Sequence, residues 1–90
     1  MYKITPYSYQ QAEMLGVKIS PSDKPNKKIK VMTKDKIIYI GDSKYSDYPH
    51  YIQSHGLEYA NNRRNLYRKR HQKDRNIVGT AGYFSDRLLW

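Results

Sequence analysis

Apolar positions fall in short, separated groups along this 90-residue chain, and each group carries its own period. Tyr9, Ala12 and Leu15 are spaced by three, which predicts a helix over residues 5–15. Thr5 suits its N-cap, Pro6 its first position and Gly16 its left-handed end. Val17 to Lys28 holds Pro21, Pro25, two serines and four lysines, the composition of a loop or extended arm. From Lys28 to Thr33, charged and apolar residues alternate, so Ile29 and Val31 should face a core while Lys28 and Lys30 face water. The β-branched and aromatic run Ile37-Ile38-Tyr39-Ile40 follows after Lys34-Asp35-Lys36, predicting a β-hairpin over 28–41 closed off by Gly41.

The second half reads as helical. Asp47 caps a short helix from Tyr48 to Ser54 with Pro49 early in it, and Gly56 separates this from a longer helix over Leu57–Lys73. Leu57, Ala60, Arg64 and Tyr67 form the main stripe of the long helix, with Tyr59 and Leu66 on a neighbouring line. Thr80 caps a last helix through Tyr83, Phe84, Leu88 and Leu89. Three exposed apolar residues would be costly, so Leu88-Leu89-Trp90 should be docked. The expected fold is α+β, one small domain over 1–90. It has a short N-terminal helix, a β-hairpin and two to three C-terminal helices.

Composition narrows the classes. Cysteine is absent, which excludes a disulfide framework and a cysteine zinc site. No apolar run approaches the ~18 residues that span a bilayer, and Met1-Tyr2-Lys3-Ile4-Thr5 lacks the apolar stretch of a secretory leader. Neither a membrane nor a cofactor is expected. The apolar fraction is 38% and ten residues are tyrosine, so tyrosine must fill much of a small core. Tyr9, Tyr39, Tyr67 and Tyr83 are assigned there, whereas Tyr45, Tyr48 and Tyr51, in a polar, turn-rich stretch, are candidates for a contact surface.

Charge changes the picture most. Seventeen Lys and Arg against eight Asp and Glu give a net charge of +9. Residues 61–75 hold seven basic residues against Asp74, and residues 24–36 hold six lysines against Asp35. Arg63, Arg64, Arg68, Lys69, Arg70 and Lys73, with Lys27, Lys28 and Lys30 as a second group, are therefore candidate contacts to an anionic partner. Nucleic acid and the acidic face of a protein lattice both meet that description. Asp74 beside Arg75 and Asp86 beside Arg87 are expected to form local ion pairs.

Catalytic chemistry is poorly supported. His50 and His55 are five apart, off the spacing that aims two imidazoles at one metal from a helix. His71 and Asp74, three apart, read as a helix-surface contact. A metal nuclease would need His55, His71, Asn62 and Asp74 to converge, and nothing in their spacing requires it. No enzyme and no metal site is expected.

Four stretches together carry a resemblance. They are Ile40-Gly41, then Tyr45-Ser46-Asp47-Tyr48, then Arg63-Arg64-x-x-Tyr67-x-x-Arg70-His71-x-x-Asp74-Arg75, and finally Thr80-Ala81-Gly82-Tyr83-Phe84-Ser85-Asp86-Arg87-Leu88-Leu89-Trp90. The chain resembles a family of small basic viral proteins found in tailed phages, including crAss-like phages, and in large DNA viruses. The opening Ser8-Tyr9-Gln10-Gln11-Ala12-x-x-Leu15-Gly16-Val17-x-Ile19-x-Pro21-Ser22 is similar to the phage branch. The resemblance covers most of the chain and brings no catalytic residues with it. It implies a virion structural role, as an auxiliary or minor capsid protein assembled in the host cytoplasm. Such a protein would bind the major capsid protein or other virion proteins in many copies and touch packaged viral DNA. The alternative is a soluble nucleic-acid-binding protein acting during infection.

Overall fold

Thr5 and Gly16 bracket the first helix as their chemistry requires. In the computed structural model, which describes residues 2–90, helix α1 spans Pro6–Leu15. Thr5 Oγ1 accepts from the Ser8 amide at 3.3 Å, and Gly16 ends the helix at φ 72°. The buried side is Ser8 and Ala12. Tyr9, expected in the core, is instead exposed. The face turned because Ser8 has a distant partner: its hydroxyl donates to the Leu88 carbonyl at 2.6 Å, while the Gln11 amide donates to the Arg87 carbonyl at 3.0 Å. These carbonyls belong to the last turn of the C-terminal helix, where intrahelical donors run out.

Three antiparallel strands follow in the order β1 (Lys18–Pro21), β2 (Lys27–Met32), β3 (Ile37–Asp42). The expected hairpin is present as β2–β3, turned where the Thr33 amide and hydroxyl both donate to the Lys36 carbonyl. Residues 17–28 are not an arm, however. Ile19 pairs opposite Val31 and Pro21 opposite Ile29, adding apolar area to the face that also carries Ile38 and Ile40. Pro21 is tolerated because it lies at the end of an edge strand, where its missing N–H need not pair.

Lys28 overturns the simple alternation. It was expected to face water, yet it is buried, because the second face of the sheet is also covered at this end. Lys28 Nζ lies 3.0 Å from Asp47 Oδ2, with side-chain exposures of 6% and 1%. The Tyr2 hydroxyl donates to the same oxygen at 2.7 Å. His50 Nδ1 lies 2.6 Å from Asp47 Oδ1, and since a carboxylate only accepts, the proton sits on Nδ1. The His50 amide also donates to Oδ1, at 3.3 Å, so Asp47 is the N-cap of helix α2 (Tyr48–His55) as well. One carboxylate thus ties the N-terminal segment, the central strand and α2 together.

Helix α3 (Leu57–Arg70) stops three residues short of the expected Lys73. The Asp74 and Arg75 amides both donate to the His71 carbonyl, curling the chain into turns. Of the predicted stripe, Ala60 and Tyr67 are buried, Arg64 is half-buried and Leu57 is exposed. Helix α4 (Ala81–Leu89) is capped by Thr80, whose Oγ1 accepts from the Tyr83 amide at 3.2 Å. Leu88, Leu89 and Trp90 are docked as expected, and Trp90 stacks on Tyr67 with ring centroids 4.5 Å apart and planes 8° off parallel. Leu89 closes on β3 because residue 41 is glycine: a Cβ there would lie 2.7 Å from Leu89 Cδ1, and its φ is 79°.

Asp47→Ala leaves Lys28 buried without its counter-charge, an expected loss of about 3–5 kcal/mol in urea unfolding. The double variant Lys28→Met with Asp47→Leu should recover much of that loss, because it removes both buried charges. A single-variant loss below about 1 kcal/mol, the scale of one ordinary hydrogen bond, would show that the buried pair is not structural.

Candidate anion-binding surface and cleft

The basic residues divide into those consumed inside the protein and those left facing solvent. Asp86, on α4, is buried. Its Oδ1 lies 3.1 Å from Arg75 Nε and 3.4 Å from Arg68 Nε, and its Oδ2 lies 3.2 Å from Arg87 Nη1. Arg87 also donates to the Arg75 carbonyl at 2.7 Å. Three guanidinium groups therefore surround one carboxylate, holding α3, the turns after it and α4 in register. The Asp86–Arg87 pair was expected. Arg75, however, pairs with Asp86 rather than with Asp74, which lies 3.5 Å from His71 Nδ1.

Arg64 and Arg63 are spent on aromatic rings. The Arg64 guanidinium sits 3.5 Å from the Tyr48 ring centroid, and that of Arg63 sits 5.5 Å from the Tyr51 centroid. Arg64 Nε is buried and has no hydrogen-bond partner among the described residues, so the Tyr48 face supplies its compensation. Tyr48 is accordingly taken off the contact surface it was assigned to, and Tyr51 is half-buried. Tyr48 is 7% exposed and donates to Asn61 at 2.9 Å, while Tyr51 packs between Tyr59 and Trp90. The turn-rich neighbourhood of Tyr48 misleads because α2 lies flat against α3. Tyr45 does stand out, at 67% exposure. Lys24 covers Tyr39, with Nζ 4.3 Å from the ring centroid. In the strand group Lys27 is exposed, Lys30 is half-buried and Lys28 is paired with Asp47.

Besides the exposed lysines on and around the sheet (Lys18, Lys27, Lys34, Lys36 and Lys44), the exposed cations at the end of α3 are Lys69, Arg70 and Lys73. They border two clefts that share Arg70 and His71. One, of about 520 Å³, lies between these residues, the β3 end and Trp90. The other, of about 470 Å³, runs along Lys69, Gln72, Lys73 and Asp74. His71 stacks on Tyr67 at 4.3 Å, continuing the Trp90–Tyr67 stack outward. The sequence flagged these cations but not the cleft, because Tyr45, Tyr67 and Trp90 meet only through the tertiary fold.

The histidines do not converge. His55 stacks on Tyr59 at 4.3 Å near the start of α3, and His71 lies just past its end, roughly 20 Å away at ~1.5 Å per helical residue. Among the described residues, no three His, Asp or Glu side chains are grouped to hold a metal ion, and no helix is long and apolar enough to cross a membrane.

The Asp47 network shifts two of its groups. Burial alone would raise the Asp47 carboxyl, but the hydrogen bonds from Tyr2 and His50 and the charge of Lys28 outweigh it and hold the group below its ordinary value of 3.8. Burial, then the hydrogen bond to Asp47, pushes the Tyr2 hydroxyl well above its ordinary value.

Residues 17–53 match the model of a family of unknown function, DUF5754. That segment takes in the three strands and most of α2 but not the basic end of α3. No curated protein and no solved structure matches the chain.

Asp86→Ala should cost about 3–5 kcal/mol in urea unfolding, because it strands arginines in a partly buried site, whereas Lys69→Ala and Lys73→Ala should stay within about 0.5 kcal/mol. Acid unfolding tests Asp47. Its folded carboxyl stays ionised to lower pH than the unfolded one, so its contribution is complete at neutral pH. That contribution declines as pH falls through 3.8 and is gone below the folded value. Asp47→Asn should flatten that part of a stability–pH curve, and an unchanged acid slope would contradict the assignment.

Proposed function

We propose that the protein is a structural component of a virus particle, an auxiliary or minor capsid protein that sits on the major capsid lattice in many copies and acts by binding rather than by catalysis. One observation carries this reading. Besides the exposed cations Lys69, Arg70 and Lys73, the chain exposes Leu66 one turn before them on α3 and Ile77 and Val78 in the turns that follow, Val78 at 78%. An acidic protein surface with apolar ground between its charges satisfies both kinds of side chain, whereas a phosphate backbone satisfies only the cations. The resemblance to small basic viral proteins supplies the particle. The arginines bound to Asp86 make the docking face stiff, so attachment orders few further groups.

A second reading, a nucleic-acid-binding protein acting during infection, is favoured by a different observation: the aromatic-walled cleft opens beside Arg70.

Mass spectrometry of purified particles is the test. The protein should be present in many copies per particle, and Lys69→Glu with Lys73→Glu should lower its incorporation without lowering its abundance in the cell. Absence from particles despite abundance in infected cells would reject the virion reading and leave the second.

A further inference from the structure

The exposed cations at the end of α3 adjoin a cleft with an aromatic wall. At about 520 Å³ the cleft is within the range of small-molecule sites, ~300–1,000 Å³. Trp90, Tyr67 and His71 form a continuous stack of three rings. Rings at 4.5 and 4.3 Å from Tyr67 cannot share one of its faces, so both faces are taken. Trp90 is only 8% exposed, whereas the His71 side chain is 40% exposed and ends the stack at the cleft. Tyr45, the most exposed large aromatic residue among those described, stands on the same cleft.

An open-ended ring stack and a free phenol ring bordering one space favour a flat heterocycle. Ser46 lines the cleft and carries a hydroxyl able to pair with the edge of such a ring. Asp42 and Lys28 also line it, but Lys28 is paired with Asp47, which leaves Arg70 as the unpaired cation of the lining for a phosphate. From Arg70 the second cleft leads on past Lys69 and Lys73, which gives room and charge for more than one phosphate.

We propose that this cleft takes an unpaired nucleotide of a single nucleic-acid strand, its base against His71 and Tyr45 and its backbone phosphates along Arg70, Lys69 and Lys73. A duplex keeps its base faces covered and would engage the cations alone. The site therefore distinguishes single strands from duplexes by stacking, not by charge. The inference rests on the second reading, nucleic-acid binding, and narrows it to unpaired strands.

Fluorescence anisotropy with the full chain and a labelled mixed-sequence 12-mer, single-stranded or duplex, tests it at low salt. The single strand should bind at least about tenfold more tightly. Tyr45→Ala and His71→Ala should each weaken single-strand binding about tenfold without changing duplex binding, and His71→Phe should restore it by returning a stacking ring. Lys69→Ala and Lys73→Ala should weaken both forms alike. Tyr45 is exposed, so its variant reports on binding even if His71→Ala fails to fold. Equal affinity for the two forms, or an unaffected Tyr45→Ala, would reduce the site to a charged patch and overturn the proposal. So would a free mononucleotide bound as tightly as the strand, or no binding of either form. Detection in particles is read out separately and is unaffected by any of these outcomes.

Discussion

A charge cannot be buried without a partner, and two carboxylates carry that constraint for the whole fold. Asp47 gathers Tyr2, Lys28 and His50, and Asp86 gathers Arg68, Arg75 and Arg87. Taking ions out of water costs several kcal/mol each, recovered only where geometry and further hydrogen bonds are good. A small chain in which tyrosine outnumbers each aliphatic residue type has little apolar area to hold its elements in place. The ion clusters complement the core here. Asp47 joins strand to helix, and Asp86 joins α4 to α3 and the turns after it.

This constraint also sorts function from structure. A net charge of +9 suggests a uniformly sticky surface, yet most arginines of α3 and the turns after it face inward toward a carboxylate or a ring. The exposed cations of this stretch occupy the end of α3, next to a cleft lined by Tyr67, His71 and Trp90. Charge and ring chemistry coincide there because α3 ends at Arg70 and His71 folds back over Tyr67. The exposed basic end of α3 is in this sense part of what remains after the fold has taken the charges it requires.

Local signals in the sequence were legible. The caps Thr5, Asp47 and Thr80, the prolines behind two of them and the terminating Gly16 each act within a few residues, so they could be read one helix at a time. The hairpin could be read for the same reason, as could the docking of Trp90, which follows from the cost of leaving it in water. Strand β1 was hidden because Ser20 and Pro21 carry turn chemistry, and only their pairing with Lys30 and Ile29 makes them a strand. Lys28 was misplaced because alternation says which face a residue occupies, not whether something covers that face. Tyr48 is buried, against expectation, because nothing local shows that Arg64 closes over it. The cleft needed residues 45, 67, 71 and 90 together, and no window along the chain contains them all.

The division between structural and free guanidinium groups is the central claim, and nitrogen-detected NMR of the arginine side chains tests it directly. As a single-stranded oligonucleotide is added to the intact protein, the Nε signal of Arg70 should shift, while those of Arg68 and Arg75, bound to Asp86, should keep their positions and their slow exchange with water. Shifts of Arg68 and Arg75 as large as that of Arg70 would mean that the Asp86 cluster opens onto the ligand, and the account would fail.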